Sequence, residues 1–452
     1  MQATDLCALW QELLQPYADC FTQPGFRNFA EWATGLALND EEHTITQSLL
    51  ALDRTQDWKA LEACAEYGSW DEPALERVSA RLLAQEPHRT WHGFTVWAGD
   101  DTKVHRSSKH VWGTCTFHEY TARCPNRAGT VRAHNWVVTG ALLPRPGQPA
   151  WFVPTAGRLY FRQSQLPTLG NLGDEPATFR TKCALLVELL QQQAQTAPGP
   201  HLGVFDGGFA LRSLVRPLVC PDSKAQERID FVTRLRHDAR LYLEAAPRRQ
   251  GQRGRTPSWG RRLAPPRQGG RWPGAWQQGQ AFLYGRWRQV RYKEVVCRWR
   301  VLGHDVPVKA VVAEVEGYKK RFTLVSSAVQ LTGLQIVELF CARFRQEDGF
   351  RDLKQRLGWE ECRAWTRLPI LRTTLMLFIV LLLLRRLEWR LPAAGAEDWW
   401  LRPPWNPRKV RPSVLDAERL LRRHRQEIQQ SLPGWLQRRE KAGLAASQEV
   451  GM

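Results

Sequence analysis

Three acidic residues stand where their side chains could act on one substrate. Asp101 closes an apolar, β-branched stretch (Phe94-Thr95-Val96-Trp97-Ala98) and is followed by Thr102. Asp206 closes a second such stretch, His201–Phe205, and is followed by Gly207-Gly208. Glu347 lies far downstream on a helical pattern. Carboxylates at the ends of non-adjacent strands converge at one edge of an α/β sheet, where sites usually form. Three of them would hold a hard cation such as Mg²⁺ through oxygen. Two such ions about 4 Å apart can activate a water or 3′-hydroxyl and stabilise the leaving oxygen of a phosphodiester. Singly, each acid has a plainer reading: a turn residue at Asp206, an N-cap or loop acid at Asp101, a solvated helix face at Glu347.

The surroundings of Glu347 carry more information. On a helical wheel with Phe340 at zero and about 100° per residue, Arg343 falls near −60°, Glu347 near −20° and Lys354 near −40°. Leu339, Phe350, Leu353 and Leu357 form the adjoining apolar stripe. An acid flanked by bases is either a salt-bridge set along the helix or a metal ligand whose basic neighbours hold phosphates. The residues alone leave both open.

The elements that must position these groups can be read along the 452 residues, a length that predicts more than one domain. Helical periodicity marks Leu6–Leu14, Phe26–Leu36, Thr44–Leu52 and Ala74–Leu83, giving an N-terminal helical domain over 1–90. From Trp91 the pattern turns to strands, at Phe94–Ala98, His110–Tyr120, His134–Leu143, Trp151–Tyr160, His201–Asp206 and Phe231–Leu235. Helices at Glu175–Gln195 and Phe209–Leu218 lie among them, an α/β layer pattern that predicts a catalytic core over 91–240. A basic, β-rich insertion follows over 241–325. Within it Pro247–Arg271 holds eight arginines and no acid, a composition expected not to pack a core. Two long helices, Leu331–Leu357 and Pro369–Trp389, complete the core over 326–390, and a basic tail runs over 391–452 with one helix near Ser413–Gln430.

The net charge is +19, unevenly placed: residues 1–90 carry −9 and the remainder +28. That asymmetry predicts a polyanionic partner, most simply nucleic acid. The ten cysteines include no CxxC pair, which excludes a zinc ribbon and suits reduced thiols in a cytoplasmic protein. No secretory leader is legible. The apolar run Leu375–Leu384 is half the length of a membrane-spanning helix and reads as a buried core element, so no membrane is expected.

Phe340-x2-Arg343-x3-Glu347-x6-Lys354 resembles the Tyr-x2-Arg-x3-Glu-x6-Lys signature of bacterial insertion-sequence DDE transposases. Asp100-Asp101-Thr102 resembles that family's first acid with its following Thr, and Val204-Phe205-Asp206-Gly207 its second. Arg234-Leu235-Arg236-His237-Asp238-Ala239 and Phe350-Arg351-Asp352-Leu353-Lys354-Gln355 are also similar to the family's text. The resemblance implies a ribonuclease-H-like core interrupted by a β-rich insertion, and Mg²⁺-dependent cutting and joining of DNA at the ends of a mobile element. Two Mg²⁺ ions are implied, with Mn²⁺ as a substitute. Asp101, Asp206 and Glu347 become the metal ligands; Arg343 and Lys354 contact DNA phosphates. Neighbours on a strand face opposite ways, so only one of Asp100 and Asp101 faces the metals, and the following Thr selects Asp101. Position 340 departs from the signature: Phe340 lacks the hydroxyl that would reach a phosphate at the DNA end.

The resemblance also implies double-stranded DNA with terminal inverted repeats and a target as partners, and a homodimer in the synaptic complex. It further implies an insertion Trp that holds a flipped base. Trp287 and Trp299 are the candidates among the insertion's five tryptophans, each of which could instead pack the insertion. The acidic residues 1–90 predict only local DNA contact, through a few residues such as Arg27 and Arg54. The basic helix with Arg419, Arg422, Arg423 and Arg425 reads as a DNA or subunit contact or as a solvated tail. A catalytically inactive DNA-binding remnant is the alternative to the enzyme.

Overall fold

The computed structural model describes residues 3–55, 57–86, 89–119, 129–172, 175–223, 225–247, 254–391, 399–407 and 409–449. It opens with five helices, α1 (Ala3–Leu14), α2 (Gln23–Leu38), α3 (Ile45–Leu50), α4 (Trp58–Tyr67) and α5 (Glu72–Ala84). Side-chain caps start three of them: Thr22, Thr44 and Asp71 accept from the backbone N–H three residues on. Helix α4 was not expected from the sequence. It buries only Leu61, Cys64 and Ala65, a stripe too short and small to stand out as periodicity.

Next come β1 (Thr90–Trp91), β2 (Phe94–His105), β3 (Cys115–His118), β4 (Thr130–Arg145) and β5 (Gln148–Tyr160). After a short helix α6 (Leu166–Leu169) and a small hairpin of β6 (Asn171–Leu172) and β7 (Glu175–Pro176), the chain forms α7 (Lys182–Thr196), β8 (His201–Phe205), α8 (Arg212–Val219) and β9 (Ile229–Arg234). Then follow β10 (Leu241–Tyr242), β11 (Gln277–Leu283), β12 (Arg286–Trp299), β13 (Pro307–Val315) and β14 (Phe322–Ser326). The last helices are α9 (Gly333–Ala342), α10 (Arg345–Gln355), α11 (Arg367–Arg390), α12 (Val414–Arg423) and α13 (Arg425–Glu449).

Twelve strands form one mixed sheet whose main path is β10-β12-β13-β14-β9-β8-β2-β4-β3, with β1, β5 and β11 pairing off it. Only β2·β8 and β8·β9 are parallel. The strands of the insertion are not separate from the core. Antiparallel pairing of β14 with β9 carries the hydrogen-bond ladder from one into the other without a break. The arginine-rich stretch also differs from its expectation where it is described. Leu263, Pro266, Gly269 and Trp272 are buried, while Arg261, Arg262, Arg267 and Arg271 point outward. Arg248, Arg249 and Arg253 lie outside the described residues.

Helix α7 covers one face of the sheet centre; Gly99 makes room for it, since a Cβ there would stand 2.4 Å from Leu186. The other face carries α9, α10 and α11. Leu375–Leu384, the apolar run of α11, is buried throughout. Among the described residues α11 is the one helix long and apolar enough to cross a membrane, and most of that stretch is enclosed by protein. The N-terminal helices pack around α11 and mate with it through charge: Arg372 with Glu72 at 3.0 Å, Arg386 with Glu86 at 2.5 Å and Arg390 with Glu12 at 2.5 Å.

Two expectations change here. Strand β2 does not stop before the acids but runs through Asp100 and Asp101 to His105. The helix expected over Leu331–Leu357 is two, because the chain tightens at Arg343-Phe344. There Phe344, Gln346 and Glu347 donate to carbonyls three residues back rather than four.

Candidate active site

The register of the parallel pair β2·β8 matches Thr95 with His201 and Ala98 with Val204. The same offset carries Asp100 opposite Asp206. Adjacent strands lie about 4.8 Å apart and in-register neighbours face the same way, so these two carboxyls share one side of the sheet. Asp206 retains extended backbone at the start of the Gly207–Phe209 turn, and its side chain makes no capping hydrogen bond. The carboxylate is therefore not used up by the turn.

One guanidinium answers both acids. Arg343 Nη1 lies 3.6 Å from Asp100 Oδ2, and its Nη2 lies 3.8 Å from Asp206 Oδ1. Both contacts are longer than hydrogen bonds, and the buried Arg343 Nε has no partner among the described residues. Phe340, whose ring centre is 5.7 Å from the guanidinium, is buried and packs edge-on against Phe322. It supports Arg343 from the core and has no surface to offer DNA. Burial pushes the Asp100 carboxyl up to about 7; the Asp101 N–H and Arg343 oppose this, while the neighbouring Asp101 and Asp206 add to it.

Asp101, the residue selected from the sequence, faces the opposite side. Its Oδ2 accepts from Lys182 Nζ at 2.6 Å, at the start of α7. The reason is strand alternation: since β2 continues through both acids, the pair cannot face one way. It is Asp100 that shares Arg343 with Asp206.

Glu347 is exposed on the first turn of α10. Among the described residues no three His, Cys, Asp or Glu side chains stand close enough together to hold a metal ion. The two strand acids meet around Arg343, and Glu347 does not complete a cluster with them. Lys354 points to the far end of β2, where Nζ donates to the Lys103 carbonyl at 2.5 Å and lies 3.8 Å from Glu360. Burial lowers its pKa.

The two tryptophans separate. Trp299 is 2% exposed and packs on Phe231, so it is a core residue. Trp287 is 61% exposed and meets Phe282 edge-on. It borders a cavity of about 330 Å³ that also touches Tyr284, Glu338 and Arg345. Trp276 lies under Arg291, 4.4 Å from the ring centre, with Lys293 and Arg321 nearby.

The basic residues named near the chain ends are engaged internally. Arg27 and Arg54 both pair with Glu31. Arg422 donates to the Asn39 carbonyl, and Arg425 to the Leu38 carbonyl at 2.7 Å, so they satisfy the C-terminal end of α2. Arg423 donates to the Trp399 carbonyl at 2.9 Å.

The donor chemistry of the acid pair suits a hard divalent ion: two oxygen ligands, level on adjacent strands, with a cation already between them. A family model described as DDE superfamily endonuclease matches residues 16–298, which include both strand acids. No curated protein matches the chain.

Proposed function

Because the chain belongs to the DDE superfamily endonucleases, nucleases that generally use divalent metals such as Mg²⁺, we propose that it is a transposase that cuts the ends of an insertion element and joins them to target DNA. Asp100 and Asp206 are the first two acids of its site and Glu347 the third. The observation that carries this reading is the level pairing of Asp100 and Asp206 around Arg343. The core is read as ribonuclease-H-like, with the 241–325 segment as its insertion.

Asp100 and Asp206 would hold the metal, two Mg²⁺ ions in the full site, and Glu347 would join them from α10 when DNA is bound. The ions supply activation of a water or 3′-hydroxyl and stabilisation of the departing oxygen. The chain's own residues do the rest. Arg343 neutralises the two carboxylates in the free protein and is placed to take a phosphate oxygen near the scissile bond. Trp287, exposed beside a cavity, offers an indole to an unstacked base. Lys354, drawn to β2, answers a phosphate further along the strand. Terminal inverted repeats and a target duplex are the DNA substrates, brought together in a homodimeric synapse.

One observation favours a second reading, a DNA-binding remnant without catalysis: Glu347 stands apart from the other two acids. A strand-transfer assay with Mg²⁺ on DNA carrying the element's flanking repeats separates the two. Transfer that disappears in Asp206→Asn supports the enzyme. Tight binding with no cleavage in Mg²⁺ or Mn²⁺ supports the remnant.

A further inference from the structure

Behind the first turn of α10, arginines from four parts of the chain collect around one carboxylate. Arg145, at the end of β4, places Nη1 3.4 Å from Glu388 Oε1. Arg385, on α11, places Nη1 3.0 Å from Glu388 Oε2 and Nη2 3.1 Å from Asp352. Their guanidinium groups lie over the same Trp151 indole, 4.1 and 5.4 Å from its centre. Both oxygens of the buried Glu388 are thereby taken. Arg345 opens α10 and pairs with Asp348.

Arg411, in the segment before α12, enters this group as an additional cation. It is partly buried, and among the described residues it forms no ion pair and no hydrogen bond. Burial, and then the charges of Arg345 and Arg145, lower its pKa to about 10; Glu388, already shared, is the acid that opposes them. A cation withdrawn from water among like charges is unfavourable unless an anion completes it. Arg145 and Arg345 also line the cavity of about 330 Å³ beside Trp287, so two of the arginines border open space next to the candidate active site.

We propose that Arg145, Arg345 and Arg411 form a binding site for one phosphate of a DNA strand, held beside the acid pair by α10. This rests on the reading of the chain as a DNA-acting enzyme. Guanidinium forks match the non-bridging oxygens of a phosphodiester. Its single negative charge equals the one that Arg411 leaves unanswered.

The test uses the full chain carrying Asp206→Asn, in EDTA, so that cleavage plays no part. Binding to a 40-base-pair duplex of arbitrary sequence is followed by fluorescence anisotropy from 50 to 300 mM NaCl. Loss of one phosphate contact lowers the slope of log affinity against log salt by about 0.9. Arg411→Gln is therefore expected to lower that slope by about 0.9 and weaken binding several-fold at 100 mM salt, while Arg411→Lys keeps most of both. In a second arm, millimolar inorganic phosphate is expected to raise the melting temperature of the parent chain more than chloride of equal ionic strength does, and to lose this effect in Arg411→Gln. An unchanged slope together with equal phosphate stabilisation of parent and Arg411→Gln overturns the proposal. An unchanged slope with the phosphate effect lost in Arg411→Gln assigns the site to free phosphate and overturns the DNA contact. A parent chain that binds no DNA overturns the transposase reading, and the phosphate arm still reports on the site.

Discussion

Replacing Asp100 by Asn should abolish metal-dependent cleavage and yet make the metal-free protein more stable. The Asp100 side chain is 25% exposed and its carboxyl is pushed up to about 7 from 3.8, with burial as the largest cause. At 1.36 kcal/mol per pH unit this corresponds to about 4 kcal/mol by which the folded state disfavours the ionised carboxylate. Solvent reaching the exposed quarter screens part of it, so a gain of about 2–4 kcal/mol is expected from the neutral amide. The sign follows from the raised pKa. At pH 4 the carboxyl is protonated in the folded state and half so in the unfolded one, and variant and parent should be nearly equal. The gap then opens as pH rises and levels off above about 7. Urea unfolding in EDTA at pH 4, 5.5 and 8 measures it, and cleavage of a supercoiled plasmid with Mg²⁺ measures activity. Asp101→Asn is the control: it removes a partly exposed contact to Lys182, costs about 0–1 kcal/mol, and leaves cleavage near the parent level. If Asp101→Asn were the variant that lost cleavage, or if Asp100→Asn were less stable than the parent at pH 8, the assignment of Asp100 to the site would be wrong.

Other substitutions sort the neighbouring residues. Trp299→Ala should cost about 3–5 kcal/mol in urea unfolding, because it empties a buried indole site, whereas Trp287→Ala should change stability by less than about 0.5 kcal/mol and weaken binding of DNA with an unpaired end base, read by anisotropy. Arg343→Gln removes the cation shared by Asp100 and Asp206, and Mn²⁺ binding to the DNA-free protein, followed by electron paramagnetic resonance, should tighten about tenfold. Arg386→Ala strands the buried Glu86 and should cost about 3–5 kcal/mol; the same unfolding assay checks it.

Much of the layer order was legible because period-2 and helical patterns are set by burial, and burial is what the long elements share. Strands β4, β5, β8 and β9 and helices α7 and α11 all fall on expected segments, with ends shifted by a few residues up to about seven. The misses have local causes. The stretch after Ala98 reads as a strand end because Gly99-Asp100-Asp101 is turn-like in composition. In the fold, Gly99 is there to admit Leu186, and the acids lie in mid-strand. Choosing Asp101 followed from the resemblance. Strand alternation would have picked Asp100 only if the facing partner of each acid were known, and Lys182 lies 81 residues from Asp101. The break at Arg343-Phe344 has no Pro or Gly to announce it. It rotates Glu347 and Lys354 relative to Phe340, so the single stripe drawn on an unbroken wheel does not exist as such.

The charge asymmetry takes on a different meaning in three dimensions. Read linearly, −9 on residues 1–90 sets that region against a polyanion. In the fold those acids are directed inward, onto bases elsewhere in the chain. Glu72 and Glu86 meet α11, Glu76 meets Arg158 at 2.6 Å, Asp40 meets Arg425 at 2.8 Å and Glu42 meets Arg363. Each such pair also withdraws one base from the +28 of the remainder. The cations left facing solvent therefore count for more than the total. Arg255, Arg261, Arg262, Arg267 and Arg271 are exposed along the insertion, while Arg343 and Arg411 are held near the site without hydrogen bonds of their own. Internal pairing of the helical region thus concentrates the unanswered positive charge on the sheet edge and the acid pair, where a DNA strand would have to lie for the proposed chemistry.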